Sequence, residues 1–178
     1  MQLNYRPISV LPVILKICKR RIHVTFLSWL QKFRLLIDNQ SVYLKNHSSV
    51  IALIDITDML LLNMDRDDIN GLLMLDLSKA FHLINRNLLL KKLEIYGLSE
   101  STLGWFKTYL SMRKQVVAIN GTASEFPDIS RGVPQGSILG PLLFITFMND
   151  LSFEIDDPHK LKMFMDDSTV LVAGRTLE

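Results

Sequence analysis

The feature that most constrains this fold is a pair of adjacent carboxylates between two apolar runs. The acids belong to the tetrad Phe164-Met165-Asp166-Asp167. An apolar stretch at 161–165 precedes them, and a second apolar stretch follows at 170–173. Both runs are typical of short buried strands, so the pattern predicts that the chain reverses direction at the acids. Adjacent like charges at the tip of a hairpin repel each other, and a divalent cation would offset that repulsion. A solvated turn is the alternative interpretation, since acid pairs are common at turns.

Length and composition predict one domain, or one domain with a lobe, around a sizeable core. The chain has 178 residues, of which 48% are hydrophobic and 21% charged, and this argues against disorder. Its most apolar run, at 137–148, contains Gly140 and Pro141 and is too short to cross a membrane. The chain has a single cysteine, Cys18, which excludes an internal disulfide. Cys18 lies in an apolar helical stretch and is predicted to pack in the protein core.

The overall charge does not indicate a nucleic-acid partner, because the formal net charge is only +2. Basic residues are nevertheless clustered at 16–21, 91–92 and 113–114. Local clusters of this kind can follow a phosphate backbone. For any one cluster, a solvated helix face is the favoured alternative.

Periodicity and capping signals predict helices that alternate with short strands. Apolar spacing indicates one or two amphipathic helices over 13–36 and another over 49–64. Asn85 is predicted to cap a helix ending before Gly97, and Ser99 a helix through Leu110. The remaining predictions are a buried strand at 71–77, a hairpin turning at Asn120-Gly121, a shaped loop at 131–141 and a buried helix at 142–151. This order predicts an α/β or α+β layer fold.

Asp76 lies at the end of the predicted buried strand, where a carboxylate without a partner is energetically costly. If this strand neighbours the hairpin, Asp76 joins the acid pair at one end of a sheet. Three such carboxylates could hold two Mg²⁺ ions, which prefer hard oxygen ligands. Paired ions of this kind can activate an attacking hydroxyl and stabilise a leaving phosphate oxygen.

Four stretches of the chain resemble one protein family, in the order in which that family has them. They are Asn-Tyr-Arg-Pro-Ile-Ser at 4–9, Leu-Asp-Leu-Ser-Lys-Ala-Phe at 75–81, Arg-Gly-Val-Pro-Gln-Gly-Ser-Ile-Leu-Gly-Pro at 131–141, and the Phe-Met-Asp-Asp tetrad. The chain thereby resembles the reverse transcriptase domain of a non-LTR (LINE, jockey-like) retrotransposon. The resemblance implies an α+β right-hand polymerase fold, with fingers at 1–70 and a palm with a ferredoxin-like sheet at 71–178. Since only residues 168–178 follow the acid pair, it also implies a fragment in which the thumb and the endonuclease are absent.

The same resemblance assigns the metal site. Asp76, Asp166 and Asp167 would be the catalytic acids that bind two Mg²⁺ ions, with Mn²⁺ as the alternative. Of these three acids, Asp76 and Asp166 are the more strongly expected metal ligands.

Further roles follow from the resemblance for residues that would contact the substrates. Phe81 would be an aromatic gate beneath the incoming sugar; core packing is the alternative interpretation, and the two are compatible. Gln135 and Gly136 would line the nucleotide and template pocket, where glycine permits close backbone approach. Arg6, which alone would be interpreted as a surface arginine, would reach the triphosphate. Pro134 and Met165 would lie against the primer and template.

The implied function is RNA-directed DNA polymerisation, in which dNTPs are added to a DNA primer on an RNA template. The implied location is intracellular, in cytoplasm and nucleus. The sequence departs from the family pattern at Val42-Tyr43-Leu44, where Gly-Phe-Arg is usual, and at His82, where Asp is usual. These departures and the missing thumb predict that the fragment is inactive alone.

Two other functions compete with polymerisation. One is a decayed, non-catalytic remnant that binds nucleic acid weakly at most. The other is a metal-dependent nuclease or phosphatase, which would also use three acids but leaves the Gly-Val-Pro-Gln-Gly stretch unexplained.

Overall fold

The computed structural model describes residues 12–37, 40, 48–77, 80–111, 113–114, 116–120, 122–125, 128–129, 131–134, 136–155, 161–164 and 167–175. Its helices are α1 (Val13–Lys32), α2 (Ser49–Met64), α3 (Ala80–Leu83), α4 (Arg86–Ile95), α5 (Glu100–Leu110) and α6 (Gly140–Met148), with a 3-10 turn at Leu151–Glu154. Its strands are β1 (Ile69–Asp76), β2 (Arg113–Lys114), β3 (Ala118–Ile119), β4 (Thr122–Ala123), β5 (Asp128–Ile129), β6 (Leu161–Phe164) and β7 (Asp167–Gly174).

The chain divides into two compact units. Unit 1 comprises Met1–Val24 and Lys79–Phe147, and unit 2 comprises Thr25–Ser78 and Met148–Glu178. Helices occur together with antiparallel strand pairs, which confirms the α+β class. Among the described helices, none has the length and apolar character needed to cross a membrane.

Of the two predicted helix caps, Asn85 is confirmed and Ser99 is not. Helix α2 has the predicted bounds, and the Ser48 hydroxyl caps it by accepting a hydrogen bond from the Ile51 amide at 3.2 Å. Asn85 caps α4, because its side-chain oxygen accepts from the amides of Asn87 and Leu88 at 3.0 and 3.2 Å. Ser99 precedes α5 as predicted, but its hydroxyl bonds to other side-chain hydroxyls and makes no capping bond.

In unit 1, α4 packs against α5, and α6 contributes most to the apolar core. The predicted buried helix at 142–151 is confirmed, although α6 begins at Gly140 and ends at Met148. The predicted hairpin is also confirmed, since β3 pairs with β4 and Asn120 has a φ of 50°. The buried apolar side chains of this unit are Ile84, Leu89, Leu93, Phe106, Leu110, Val133, Leu139, Leu142, Leu143, Phe144 and Ile145.

Unit 2 contains a three-stranded antiparallel sheet in the order β1-β7-β6, on which α2 packs. The hairpin predicted at the acid pair is confirmed, because β6 pairs with β7 and Phe164 lies opposite Asp167. Met165 and Asp166, which lie between these strands in the sequence, are outside the described residues. The buried apolar side chains of this unit are Phe26, Leu30, Leu36, Ala52, Leu161, Met163 and Leu171.

Two burial predictions are wrong. The strand predicted at 71–77 is present as β1, but its side chains are exposed, with Met74 at 78%. Within the described residues β1 pairs with β7 alone and α2 covers it incompletely, whereas a continuous apolar run favours burial on both faces. Cys18 was predicted to pack in the protein core, but it is exposed on α1. Its apolar neighbours Ile14 and Ile17 are also exposed, so the apolar spacing there does not mark a buried face.

Ser168 provides a test of the packing around the hairpin. Its side chain is 2% exposed, and among the described residues its hydroxyl has no hydrogen-bond partner. We expect Ser168→Ala to raise the free energy of unfolding by about 1 kcal/mol, because burial of an unpaired hydroxyl costs roughly 1–3 kcal/mol. Urea denaturation would measure this change.

The matched control is Ser124→Ala. The Ser124 hydroxyl accepts a hydrogen bond from the Val117 amide at 3.1 Å and donates one to the Glu125 carbonyl at 2.8 Å. We therefore expect this substitution to lower the free energy of unfolding by about 0.5–1.5 kcal/mol. A Ser168→Ala chain that is as destabilised as Ser124→Ala would contradict the packing argument.

Candidate functional site

Two of the three predicted catalytic acids meet at one end of the unit 2 sheet. Asp76 is the last residue of β1, Asp167 is the first residue of β7, and the two are directly opposed in the antiparallel register. Directly opposed residues project from the same sheet face with Cβ atoms about 4.5–5.5 Å apart. Both residues are exposed, so a ligand can reach both carboxylates from solvent.

The charges and donor atoms of this pair suit a divalent cation. Like charges directly opposite each other destabilise an antiparallel pair, and a cation between them would reverse that effect. Carboxylate oxygens are the hard ligands that Mg²⁺ prefers. Across the described part of the chain no third Asp, Glu, His or Cys completes a cluster. Asp166 directly precedes Asp167 in the sequence but lies outside the described residues, so its participation stays a prediction.

The loop that precedes α6 lies directly on the backbone of residues 81–84 in unit 1. The Gly132 amide donates a hydrogen bond to the Ile84 carbonyl at 2.8 Å, and the Val133 amide donates one to the Phe81 carbonyl at 2.7 Å. Gly132 has a φ of +78°, and a Cβ there would lie 2.6 Å from both the His82 Cα and the Phe81 carbonyl oxygen. Only glycine fits this approach without displacing the backbone.

The far end of this loop is held by a buried serine. The Ser137 hydroxyl bonds to the Tyr109 hydroxyl of α5 at 2.7 Å and accepts from the Leu139 amide at 3.3 Å. Pro134 is buried, and Gly136 is exposed with a φ of +83°. Both residues predicted to contact substrate therefore lie in a loop anchored on each side.

The other predicted site residues are only partly accounted for. Phe81 is half-buried, and its ring packs on that of Phe144 with centroids 4.8 Å apart, which agrees with the core-packing interpretation. Its predicted role as a gate stays a prediction. Arg6, Gln135 and Met165 lie outside the described residues, and their roles stay predictions as well.

Arg86 also anchors this loop, and sequence reasoning missed it. Its guanidinium donates hydrogen bonds to the carbonyls of Ile129, Arg131 and Gly132 at 2.6, 3.0 and 2.8 Å. The available signal was its position, since a cation at the start of a helix is opposed by the helix dipole. Its partners lie 43–46 residues away and are backbone atoms, which no side-chain pattern identifies.

Comparisons with known proteins cover nearly the whole chain. The profile of the reverse transcriptase (RNA-dependent DNA polymerase) family matches residues 2–177. A probable RNA-directed DNA polymerase from transposon X-element of Drosophila melanogaster is 30% identical over 175 residues, covering 97% of this chain and 19% of that protein. Another, from transposon BS of the same organism, is 31% identical over 178 residues, covering 96% and 19%.

A third relative is similar over the same span. The RNA-directed DNA polymerase from mobile element jockey of Drosophila melanogaster is 27% identical over 181 residues, with 98% of this chain and 20% of that protein covered. The chain thus spans about a fifth of the length of these curated relatives.

Proposed function

The chain belongs to the reverse transcriptase (RNA-dependent DNA polymerase) family, and we propose that it carries the catalytic acids of a retrotransposon polymerase. Membership confirms the resemblance on which the sequence-based assignment depended, and the relatives named above are polymerases of transposons and mobile elements. The proposed reaction adds dNTPs to the 3′ end of a DNA primer on an RNA template. The observation that carries this proposal is the register that opposes Asp76 and Asp167 beside the β6–β7 hairpin.

In the proposed site, Asp76 and Asp167, with Asp166 as third ligand, hold two Mg²⁺ ions or, alternatively, Mn²⁺. When bound, the metal supplies activation of the primer hydroxyl and charge stabilisation of the leaving phosphate oxygen. The role of the protein is then to hold the carboxylates on one sheet face, because positioning and charge dominate phosphoryl transfer. The eight opposed residue pairs of β1 and β7 suit that role.

The remaining roles belong to the same proposal. Phe81 faces the sugar, Gln135 and Gly136 line the nucleotide and template pocket, Arg6 contacts the triphosphate, and Pro134 and Met165 contact primer and template. The roles proposed for Pro134 and Gly136 are supported by the anchoring of their loop, which is bonded to Tyr109 and to the backbone of residues 81–84.

For the architecture we propose right-hand polymerase fingers at 1–70 and a palm with a ferredoxin-like sheet at 71–178. A longer element protein would supply the thumb and the endonuclease. The small share of each relative that this chain covers supports such a division. The proposed place of action is inside the cell, in cytoplasm and nucleus, where RNA template and DNA primer meet.

Primer extension tests the proposed function directly. With a poly(rA) template, an oligo(dT) primer and labelled dTTP, polymerase activity gives incorporation that requires Mg²⁺ and disappears with EDTA, whereas the prediction that the fragment is inactive alone corresponds to background incorporation. Incorporation that stays at background with Mg²⁺ and with Mn²⁺ would contradict polymerase activity of this chain. His82 in place of the usual Asp would then favour the decayed remnant, and a gel shift would measure its residual binding of nucleic acid.

A further inference from the structure

From the contacts of Arg86 we infer that this residue positions the nucleotide site, by clamping the 131–133 loop onto residues 81–84. The inference rests on the proposed function, because it concerns how Phe81 and the loop containing Gly136 are held relative to each other. Arg86 itself contacts the loop backbone, so it is a positioning residue and not a catalytic one.

The clamp uses the geometry of the guanidinium group. Arg86 Nε donates to the Gly132 carbonyl, and its two terminal nitrogens donate separately to the carbonyls of Ile129 and Arg131. A guanidinium presents its donors in a rigid planar fork, and hydrogen bonds from a charged donor are stronger than neutral ones. Lysine has a single nitrogen and could not reproduce this pattern.

Gly132 is held through both of its backbone polar groups. Its amide donates to the Ile84 carbonyl, while its carbonyl accepts from Arg86. Arg86 is fixed in turn, because it is the first residue of α4 and Asn85 caps that helix. The loop is therefore attached to both sides of the Asn85 cap.

The contact made by Val133 connects the clamp to the proposed sugar gate. The Val133 amide donates to the carbonyl of Phe81 at 2.7 Å. A loop that moves away from residues 81–84 would break this bond and change the spacing between Phe81 and the Gly136 segment. Loss of the clamp should therefore weaken dNTP binding before it affects the chemical step.

Amide hydrogen exchange tests the clamp without requiring activity. In Arg86→Gln we expect exchange at the Gly132 and Val133 amides to accelerate about tenfold or more, since bonds to a charged group are lost. Arg86→Lys should give a smaller acceleration, and Arg66→Gln, an exposed arginine in the turn after α2, should give none. The Leu89 amide, bonded within α4 to the Asn85 carbonyl, is the internal reference for general unfolding. Unchanged exchange at Gly132 and Val133 would overturn the clamp.

Steady-state kinetics tests its consequence for the nucleotide. We expect Arg86→Gln to raise the KM for dTTP about tenfold, with kcat within about twofold of wild type and partial rescue in Arg86→Lys. A merely destabilised chain would lose active fraction, which lowers apparent kcat and leaves KM unchanged. An unchanged KM in an active Arg86→Gln chain overturns this inference alone. A wild-type chain that incorporates nothing contradicts polymerase activity of this chain, and the exchange result then still decides on the clamp.

Discussion

Replacing Asp76 by asparagine should abolish metal-dependent incorporation while leaving the folded chain at least as stable as the wild type. Loss of a metal-binding carboxylate removes several kcal/mol of charge stabilisation, which corresponds to a fall of about a thousandfold or more in rate. Stability should move in the other direction, because Asp76 opposes Asp167 in the register and neutralising one of two opposed like charges relieves repulsion.

Thermal unfolding with and without metal separates this prediction from a folding defect. In EDTA we expect Asp76→Asn to melt at the same temperature as wild type or higher. Addition of Mg²⁺ should raise the melting temperature of wild type, because the folded state binds the ion, and should have little effect on the variant. Asp58→Asn, which removes an exposed carboxylate from α2, is the matched control and should retain both activity and the Mg²⁺ response. A Mg²⁺ shift that persists undiminished in Asp76→Asn would place the metal elsewhere.

Signals that act within a few residues made much of this fold predictable. Asn85 caps the helix that follows it, and Asn120 adopts the positive φ of a tight hairpin. The chain reversal at the acid pair was predictable in the same way, since two short apolar runs separated by carboxylates are typical of two strands joined by a turn. The meeting of Asp76 with Asp167 in the β1–β7 register agrees with the expectation that the strand ending at Asp76 neighbours the hairpin, although the burial on which that expectation was based is wrong.

The features that escaped prediction depend on distant parts of the chain. Exposure of β1 depends on which elements cover it, and its run of Leu72 to Leu75 is compatible with either outcome. Arg86 is bound to backbone carbonyls far along the sequence, so its residue type and neighbours carry almost no information about its partners. Gly132 could be recognised as part of a family motif, but the reason that it must be glycine lies in the backbone of residues 81–82.

Gly132→Ala is expected to be among the most destabilising single substitutions in the chain, lowering the free energy of unfolding by about 2–5 kcal/mol. Part of this loss, about 1–2 kcal/mol, is the strain of a side chain at a φ of +78°. The remainder is a clash, because the new Cβ would lie 2.6 Å from backbone atoms of Phe81 and His82, and overpacking of this kind costs about 1–3 kcal/mol. Urea denaturation of the variant would measure the sum.

Two other glycines separate these contributions. Gly97 has a φ of +91° with open space around its Cβ position, so Gly97→Ala should lose only the strain, about 1–2 kcal/mol. Gly104 lies inside α5 with open space around it, so Gly104→Ala should instead raise the free energy of unfolding by about 0.5–1 kcal/mol. If the loop were not seated on residues 81–84, Gly132→Ala would be no more destabilising than Gly97→Ala. An excess over Gly97→Ala therefore measures how tightly the loop is held, independently of any activity.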